Sequence, residues 1–342
     1  MELMMESAYR RGEWLHVPVS PDGDAGELRA GSHAHETRLQ LLALGLWPAK
    51  WINSLFSTGG IGWTPDGELR LRAFPAAEAA DPLQRRAAAV LAASGGAYAP
   101  DWPEVLHEDD WCLVLNKPAG MPVHGSGEAP RPAGSRASYS DAAGKAPACP
   151  ATLDEAAACR CLAAGDPLPA RHIHRIDDDT SGPVLYAKKD LAQQVLDAAM
   201  REKAIGRQYW AAVHGAPNPP EGKIDQPIGK DRHHPSRRRV SPGGDRAVTF
   251  YTVLEAWRSA ALVQLALETG RTHQIRVHMS HIGHPLLGDG LYGGASPLLG
   301  RQALHGRRLR FRHPWTGSDM EIEAALPADM ERLLARLRAG KP

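Results

Sequence analysis

The sequence predicts an α+β protein, and three observations lead to this fold class. After about residue 96 the chain is rich in strand-like runs, and helical runs are interspersed among them. Hydrophobic residues make up 43% of the 342 residues, which is enough to form the cores of one or two domains. We therefore expect a small N-terminal α/β unit, residues 1–96, and a larger domain, residues 97–342.

The N-terminal unit is expected to contain two short helices and a strand. Helical patterns occur in Arg38–Leu46 and Lys50–Phe56, and Gly59-Gly60 breaks the second of them. Thr64-Pro65-Asp66-Gly67 predicts a turn, after which leucine and arginine alternate in Leu69–Arg72. This alternation predicts a strand with one basic face.

Two interpretations of the N-terminal unit remain open. Arg38-Leu39 and Leu42 match the first-helix pattern of S4-type RNA-binding domains, so the unit resembles a degenerate S4 domain that lacks most of the basic residues. A structural cap on the larger domain explains the pattern almost as well. The unit is predicted to end near Ser94-Gly95-Gly96-Ala97, after an alanine-rich helical stretch.

Alternating or apolar runs in the larger domain predict five strands, which are Trp111–Leu115, Pro183–Lys188, Gln208–Val213, Val248–Leu254 and Ala261–Leu267. The first runs into a Pro-Gly turn at residues 116–120. In the third, Tyr209, Ala211 and Val213 lie on one side. A helix is predicted to begin at Asp190.

A second helix of the larger domain is expected from Thr272 to Gly283. Thr272 is a residue type that caps helix N-termini, and Gly283 is one that ends helices. The spacing places Arg276 next to the buried stripe, where its guanidinium can reach into a cleft. That stripe is predicted to consist of Ile275, Met279 and Ile282.

Residues 125–150 differ in composition from the rest of the larger domain. Nineteen of these twenty-six residues are Gly, Ala, Pro or Ser, and Leu, Ile, Val and Phe are missing. Such a segment has no large aliphatic side chains to bury, so we predict a mobile insertion within the domain.

The net charge of +1 conceals two local basic patches. Residues 201–240 contain nine Lys or Arg against four acids, and residues 301–312 contain five arginines and no acid. A solvated surface explains such runs, but they are also typical of proteins that bind a phosphate backbone.

Several classes of protein are disfavoured by composition. No run of about 18 apolar residues predicts a membrane span, and the acidic start of the chain does not resemble a signal peptide, so we expect a cytoplasmic protein. The four cysteines fit neither a disulfide framework nor a common zinc-binding spacing. We expect free thiols at Cys112, Cys149, Cys159 and Cys161.

Four motifs in order carry a resemblance to a known family. They are NKPAGMPVH from Asn116, HRIDDDTSG from His174, RQYWA from Arg207, and GRTHQIRVHM from Gly270, which continues into residues 283–293. Through these motifs, residues 100–328 resemble an RluA-type RNA pseudouridine synthase. The resemblance implies the pseudouridine synthase fold, a mixed and largely antiparallel sheet with flanking helices.

The resemblance also implies roles for individual residues. Asp177 is implied as the essential aspartate, Arg276 as its ion-pair partner, and Tyr209 as the aromatic residue that packs on the target uracil. Arg175 is implied to help extrude the target nucleotide. Further RNA contacts are predicted for basic residues in or near the motifs, which are Lys117, Arg207, Arg271, His273, Arg238 and Arg239.

The implied reaction converts uridine in ribosomal or transfer RNA into pseudouridine. It breaks the N1–C1′ bond and joins C5 to C1′ without net redox change, so we expect neither a cofactor nor a metal in the reaction. The aspartate can attack C1′ or remove a 2′ hydrogen, and the sequence leaves both routes open. RNA is the expected partner, and a monomer is the expected state.

Three features depart from the family pattern. Ile176 replaces a leucine, which conserves volume. Asp178 stands where a basic residue is common and adds negative charge near the RNA. The insertion of residues 125–150 has no equivalent in the family.

Three alternative interpretations fit parts of the sequence less well. The Asp177–Thr180 stretch is similar to the magnesium loop of phosphate-transferring enzymes, but such a loop follows an apolar strand, whereas residues 172–176 are polar and basic. A second alternative is an RNA-binding module without activity, which the joint presence of the three implied catalytic residues disfavours. A third is a metal site formed by His273, His278, His281 and His284, but only some of these histidines can share a helix face and no carboxylate completes the set.

Overall fold

The N-terminal part of the chain forms a small antiparallel sheet with two helices. The structure, a computed structural model, describes residues 7–19, 28–75, 81–125, 149–166 and 169–340. The strands are β1 (Tyr9–Arg11), β2 (Trp14–Val17), β3 (Ile61–Trp63) and β4 (Leu69–Leu71), in the order β1-β2-β4-β3. The helices are α1 (Ala34–Leu44) and α2 (Ala49–Ser57).

Both helices and the strand predicted for the N-terminal unit are present, but their bounds differ by one to four residues, since α1 begins at Ala34, α2 spans Ala49–Ser57 and β4 ends at Leu71. Helix α1 ends at Leu44 and not at Leu46, because Gly45 adopts a left-handed conformation with φ 63° and stops the helix. The first three strands were not predicted, since runs of three or four residues are too short to show a clear alternation. The resemblance to an S4 domain stays a prediction.

The larger domain contains two main sheets and a hairpin. The first sheet has the order β5-β6-β8-β7, with β5 (Glu104–Glu108), β6 (Cys112–Lys117), β7 (Arg171–His172) and β8 (Gly182–Ala187). The second has the order β10-β13-β14-β9-β15-β16, with β9 (Gly206–His214), β10 (Glu221–Asp225), β13 (Val248–Ala256), β14 (Ala260–Leu267), β15 (Leu304–Arg312) and β16 (Asp319–Glu323). The hairpin pairs β11 (Ile228–Lys230) with β12 (Arg238–Val240).

Helices pack on both main sheets, and the predicted α+β class is confirmed. The helices are α3 (Pro82–Ala93), α4 (Leu153–Ala163), α5 (Asp190–Arg201), α6 (Gln274–His281) and α7 (Ala328–Arg338). Neighbouring strands within each sheet are antiparallel. In the described ranges no helix is both long and apolar enough to cross a bilayer.

The two main sheets meet where the HRIDDDTSG motif enters β8. Ser181 forms a parallel bridge with His305 of β15, and the Ser181 carbonyl accepts a 2.7 Å hydrogen bond from the Gly306 amide. Gly182 has φ 128°, a conformation that side chains rarely adopt. The backbones of Gly182 and Gly306 are therefore in direct contact, and this contact fixes the end of the motif.

We expect Gly182→Ala to destabilise the protein strongly. A Cβ atom at this position would lie 2.5 Å from the Gly306 carbonyl oxygen, so strain and overlap together should cost on the order of 3 kcal/mol or more. Gly165→Ala is the control, because Gly165 also has positive φ but open space around it, and strain alone costs about 1–2 kcal/mol. Urea unfolding measures the stability of both variants. Equal losses of stability would contradict the close contact between Gly182 and Gly306.

The N-terminal unit shares a hydrophobic core with the larger domain. Trp315 stacks on Trp111, with ring centres 4.8 Å apart and planes 5° from parallel. Trp47 of the N-terminal unit also stacks on Trp315, with ring centres 6.1 Å apart. Leu191 and Leu196 of α5 belong to the same buried cluster. The unit is therefore packed against the larger domain.

Helix α3 lies within the predicted unit 1–96 but packs elsewhere. Its buried residues Ala87 and Val90 contact α4 through Ala158 and Cys159, next to Trp102. The boundary at residue 96 stays a prediction, although α3 shares its core with the larger domain. Apart from residues 125, 149 and 150, the predicted insertion lies outside the described residues.

Candidate active site

A cleft of about 760 Å³ opens beside the junction of the two main sheets. It is lined by the loop of residues 173–180, by Arg207 and Tyr209 of β9, and by residues 267–276, which lead from β14 into α6. Asp177, Tyr209 and Arg276 come from three separate motifs and all line this cleft. The structure thus brings the three implied catalytic residues together.

Lys117 anchors the loop that carries Asp177. Its side chain is fully buried, and its Nζ donates hydrogen bonds to the carbonyl oxygens of Pro118 (2.9 Å), Met121 (2.6 Å) and Asp178 (2.6 Å). These bonds use all three donors of an ammonium group. The structure contradicts the predicted RNA contact of Lys117, because a buried side chain bonded in this way does not reach the cleft.

His174 fixes the beginning of the same loop. Its ring is buried, and its Nε2 accepts a 3.2 Å hydrogen bond from the amide of Leu185 in β8, so the ring hydrogen is assigned to Nδ1. Burial lowers the pKa of His174 to about 3, and the charge of Arg207 acts in the same direction. The ring is neutral at neutral pH.

We expect mild acid to destabilise the protein through His174. The reference pKa of histidine is 6.5, so below that pH the unfolded chain binds a proton that the folded protein does not. The contribution of the neutral ring is fully present above about pH 6.5 and is lost as the pH falls towards about 3, by about 1.4 kcal/mol per pH unit.

Urea unfolding between about pH 7 and pH 5 measures this slope. His174→Gln should reduce it, because the glutamine oxygen can accept the hydrogen bond from Leu185 but the side chain does not titrate. An equal slope in the variant would show that other groups cause the acid sensitivity.

Arg276 connects Asp177 to a second carboxylate. Its Nη1 donates to Asp177 Oδ2 at 3.1 Å, so the implied ion pair is present. Its Nε and Nη2 donate to the two carboxylate oxygens of Asp289 at 2.7 and 2.9 Å, a bidentate arrangement. Burial by itself lowers the pKa of Arg276, but hydrogen bonds and charges from Asp289 and Asp177 raise it above its usual value. The guanidinium therefore stays charged.

Asp289 and Tyr292 are site residues that the sequence analysis did not assign. Asp289 is 1% exposed, and the Tyr292 ring lies 5.0 Å from the guanidinium carbon of Arg276. Both residues belong to the segment 283–293 that continues the GRTHQIRVHM motif, and this adjacency was the available signal. Their contact with Arg276 forms because the chain after α6 folds back towards that helix through the short 3₁₀ turn of Gly290–Tyr292.

His273 lies beside Asp177 at the start of α6. It adopts a left-handed conformation with φ 57°, and its Nε2 lies 3.9 Å from Asp177 Oδ2. Its Nδ1 forms a 2.8 Å hydrogen bond with the Tyr292 hydroxyl. Burial lowers the pKa of His273, and Arg276 acts in the same direction, against the charge of Asp177.

The predicted cap of α6 is wrong. The helix begins at Gln274 after His273, so Thr272 is one residue too early to be the capping residue. The Gln274 side chain instead orders the segment before the helix, because its Oε1 accepts hydrogen bonds from the Arg271 amide (3.0 Å) and the Thr269 hydroxyl (2.8 Å). The predicted buried residues Ile275, Met279 and Ile282 do pack in one cluster.

Tyr209 and Arg207 reach the cleft from β9. Tyr209 is 6% exposed and packs in the same cluster as Ala211 and Val213, so the predicted common side of this strand is confirmed. Arg207 lies over Gly270, because a Cβ added at Gly270 would lie 2.7 Å from Arg207 Nη1 and would displace the guanidinium. The guanidinium therefore lies directly on the backbone of the GRTHQIRVHM motif.

The other predicted RNA-binding residues lie at different distances from Asp177. Arg175 and Arg271 line the cleft, and Arg175 Nη1 donates a 2.7 Å hydrogen bond to His124 Nε2. Arg238 and Arg239 of β12 do not line the cleft, although the charge of Arg238 acts on His273. Contact of these two arginines with RNA stays a prediction.

The second predicted basic patch is largely neutralised. Four of its arginines pair with acids on the neighbouring strand β16, and the fifth, Arg301, pairs with Asp329 at 2.7 Å. The β16 pairs are Arg307–Glu323, Arg308–Glu321, Arg308–Glu323, Arg310–Glu321 and Arg312–Asp319. The expectation that this patch holds phosphates is therefore corrected, because Asp319, Glu321 and Glu323 of β16 and Asp329 neutralise most of its positive charge.

Comparisons with known proteins agree with the fold. A family model described as RNA pseudouridylate synthase matches residues 111–281. The RNA pseudouridine synthase YhcT of Bacillus subtilis is 44% identical over 232 residues, 67% of this chain and 70% of that protein. The ribosomal large subunit pseudouridine synthase D of Vibrio vulnificus is 38% identical over 249 residues, 69% of this chain and 70% of that protein.

A solved structure extends the likeness to three dimensions. The structure of human RNA Pseudouridylate Synthase Domain Containing 4 superposes with a TM-score of 0.55 and 26% identity, over 74% of this chain and 97% of that chain. The chain belongs to the RNA pseudouridylate synthase family and is of the RluA type. The enzymes of this family are isomerases.

Proposed function

We propose that this RNA pseudouridine synthase modifies uridine in large-subunit ribosomal RNA, with Asp177 as the reacting carboxylate. The observation that carries the proposal is the position of Asp177: its side chain is 24% exposed, lies in the cleft and is held by Arg276. Ribosomal RNA is favoured as the target because relatives 36–38% identical are named ribosomal large subunit pseudouridine synthase D.

Asp177 supplies the negative charge that the reaction needs next to the ribose. A carboxylate in this position attacks C1′ or removes the 2′ hydrogen, and either step breaks the N1–C1′ bond and releases the uracil from the ribose. The uracil then turns and its C5 bonds to C1′, which breaks the ester to Asp177 on the first route and is accompanied by return of the proton to C2′ on the second. Finally C5 loses its proton and N1 gains one. Arg276 orients the carboxylate through one N–H bond while Asp289 fixes the guanidinium.

Tyr209 and Arg175 act on the base rather than on the ribose. The target nucleotide must leave its stack, which costs a few kcal/mol, and stacking on an aromatic ring offsets part of this cost. Tyr209 supplies that ring in the cleft. Arg175 is exposed and held by only one described hydrogen bond, to His124, so it can leave and fill the space of the extruded nucleotide.

Phosphates of the substrate are expected in the cleft at Arg207 and Arg271, and outside it at the β12 arginines. The arginines of β15 already pair with acids of β16, so they contribute less to phosphate binding. The salt dependence of binding should therefore correspond to a few phosphate contacts only. We further propose that the enzyme acts as a cytoplasmic monomer on this RNA.

Tritium release tests the proposal. RNA labelled with tritium at C5 of uridine loses the label to water when the C5–C1′ bond forms. We expect enzyme in excess to release tritium from a large-subunit ribosomal RNA transcript and much less from a transfer RNA transcript. Release from transfer RNA alone would exclude the proposed target, and no release from either RNA would contradict the activity.

A further inference from the structure

The turn between β5 and β6 carries a second group of polar side chains, outside the catalytic cleft. His107, Asp109 and Cys112 each offer one possible metal-ligating atom, and these three atoms lie within 4.8 Å of one another. None of the three residues lines the cleft. The group is therefore separate from the site around Asp177.

Two of the donor atoms lie close to the third, the outer oxygen of Asp109. His107 Nε2 lies 2.8 Å from Asp109 Oδ2, and Cys112 Sγ lies 3.7 Å from the same oxygen. Four ligands at tetrahedral positions around zinc, with bonds of about 2.0–2.3 Å, lie about 3.5 Å from each other. The two separations from Asp109 Oδ2 bracket this value, and the His107 and Cys112 donors lie within 4.8 Å of each other, so side-chain rotations can bring the three donors to bonding positions.

The orientation of Asp109 is fixed before any ligand binds. Its Oδ1 accepts hydrogen bonds from the amides of Trp111 (2.7 Å) and Cys112 (2.8 Å), which leaves Oδ2 to face the group. Oδ2 also accepts a 2.9 Å bond from His313 Nε2. Carboxylates that ligate metals are commonly oriented by such additional hydrogen bonds.

His313 acts in this arrangement as a donor and not as a metal ligand. Its Nδ1 accepts hydrogen bonds from the amides of Trp315 (3.3 Å) and Thr316 (3.0 Å). A neutral ring that accepts at Nδ1 carries its hydrogen on Nε2, so this nitrogen has no lone pair for a metal. His313 thus supports Asp109 from the turn that follows β15.

Local structure directs the other two side chains towards Asp109. The pairing of β5 with β6 shifts between Val105 and His107, and such a bulge changes the direction of the side chains that follow it. Cys112 is fully buried, yet its thiol at 3.7 Å is a weak hydrogen-bond donor to the carboxylate. Hydrogen bonding alone therefore gives little reason for a thiol at this place.

We propose that His107, Asp109 and Cys112 form a binding site for a divalent transition-metal ion, with zinc as the ion that fits best. One imidazole nitrogen, one carboxylate oxygen and one sulfur are ligands that zinc accepts together, whereas magnesium and calcium prefer oxygen alone. The side chains of His107 and Asp109 are 24% and 30% exposed, which leaves room for a water as the fourth ligand.

Binding has a defined proton balance and a structural consequence. The Cys112 thiol releases its proton to solvent as the sulfur–metal bond forms, and the hydrogen that His107 Nε2 donates to Asp109 moves through solvent to Nδ1, which frees the Nε2 lone pair for the metal. The ion would tie the β5–β6 turn to the β15–β16 turn through Asp109 and His313. It therefore stabilises the folded protein and takes no part in the isomerisation.

Cobalt(II) is the probe for this site, used on the full-length protein after chelator treatment and dialysis. We expect about one equivalent of cobalt to bind, with the sulfur-to-cobalt charge-transfer band and the visible bands of a tetrahedral ion. Zinc should displace the cobalt and raise the thermal unfolding midpoint, while tritium release by the folded enzyme stays unchanged. A folded wild-type protein that shows no charge-transfer band at stoichiometric cobalt would overturn the proposal.

Matched variants locate the site. Cys112→Ser should abolish the charge-transfer band, whereas Cys161→Ser, which changes a buried cysteine of α4, should retain it. His107→Ala keeps the sulfur ligand and should weaken cobalt binding, which gives a test that does not depend on the folding of Cys112→Ser. A band that persists in folded Cys112→Ser but disappears in Cys161→Ser would overturn the assignment.

Discussion

Asp177→Asn is expected to abolish pseudouridine formation, lowering the single-turnover rate on the order of 10⁴-fold or more. The amide has neither the charge nor the nucleophilic oxygen that the reaction at the ribose requires. Its oxygen can still accept the hydrogen bond from Arg276, and Asp177 is partly exposed, so the fold and the RNA affinity should change little. Tritium release with enzyme in excess measures the rate, and filter binding measures the affinity.

Asp178→Asn is the matched control for this prediction. Asp178 is the next residue along the same loop, its side chain is exposed, and its carbonyl, not its carboxylate, holds the loop to Lys117. Removing its charge should leave the rate within a few-fold of wild type and strengthen RNA binding slightly, because one negative charge near the phosphates is lost. Equal losses in the two variants would show that Asp177 has no special role.

The sequence predicted the central contact of the site because motif order carries long-range information. Asp177 and Arg276 are 99 residues apart, and no local pattern links them, but their motifs belong to one resemblance and the structure pairs them. Period-two alternation similarly predicted the buried side of β9 correctly. Whether a segment is a helix or a strand could thus be predicted wherever the segment was long enough to show its hydrophobic period.

The errors about charged residues share a physical cause. The partner of a charged side chain depends on strand register and on which distant segments the fold brings next to it. The arginines of residues 301–312 looked like a free basic patch, but the register of β15 with β16 places acids opposite them. Lys117 looked like a phosphate ligand until the Asp178 carbonyl, 61 residues away, proved to be one of its acceptors. The sequence shows which residues are charged, but it does not show which acids or hydrogen-bond acceptors lie next to them in the fold.

Asp289→Asn is expected to weaken both the fold and the catalytic step, although Asp289 does not line the cleft. The change leaves the buried guanidinium of Arg276 with Asp177 as its remaining charged partner among the described residues. Breaking a buried ion pair by removing one partner costs about 3–5 kcal/mol. Without the bidentate bond, Arg276 is free to shift, and a displacement of about 1 Å near the reacting groups can lower a rate about 100-fold.

Two measurements separate these effects on Asp289→Asn. Urea unfolding gives the loss of stability, and single-turnover tritium release at a temperature where the variant is folded gives the rate; RNA affinity should stay close to that of wild type. Glu255→Gln is the control, because it removes the acid of a bidentate but exposed pair with Arg338 and should cost only about 0–1 kcal/mol with no change in rate. If the folded Asp289→Asn enzyme reacted at the wild-type rate, Asp289 would stabilise the domain without positioning Arg276, and the ion pair with Asp177 would be sufficient to hold the guanidinium in place.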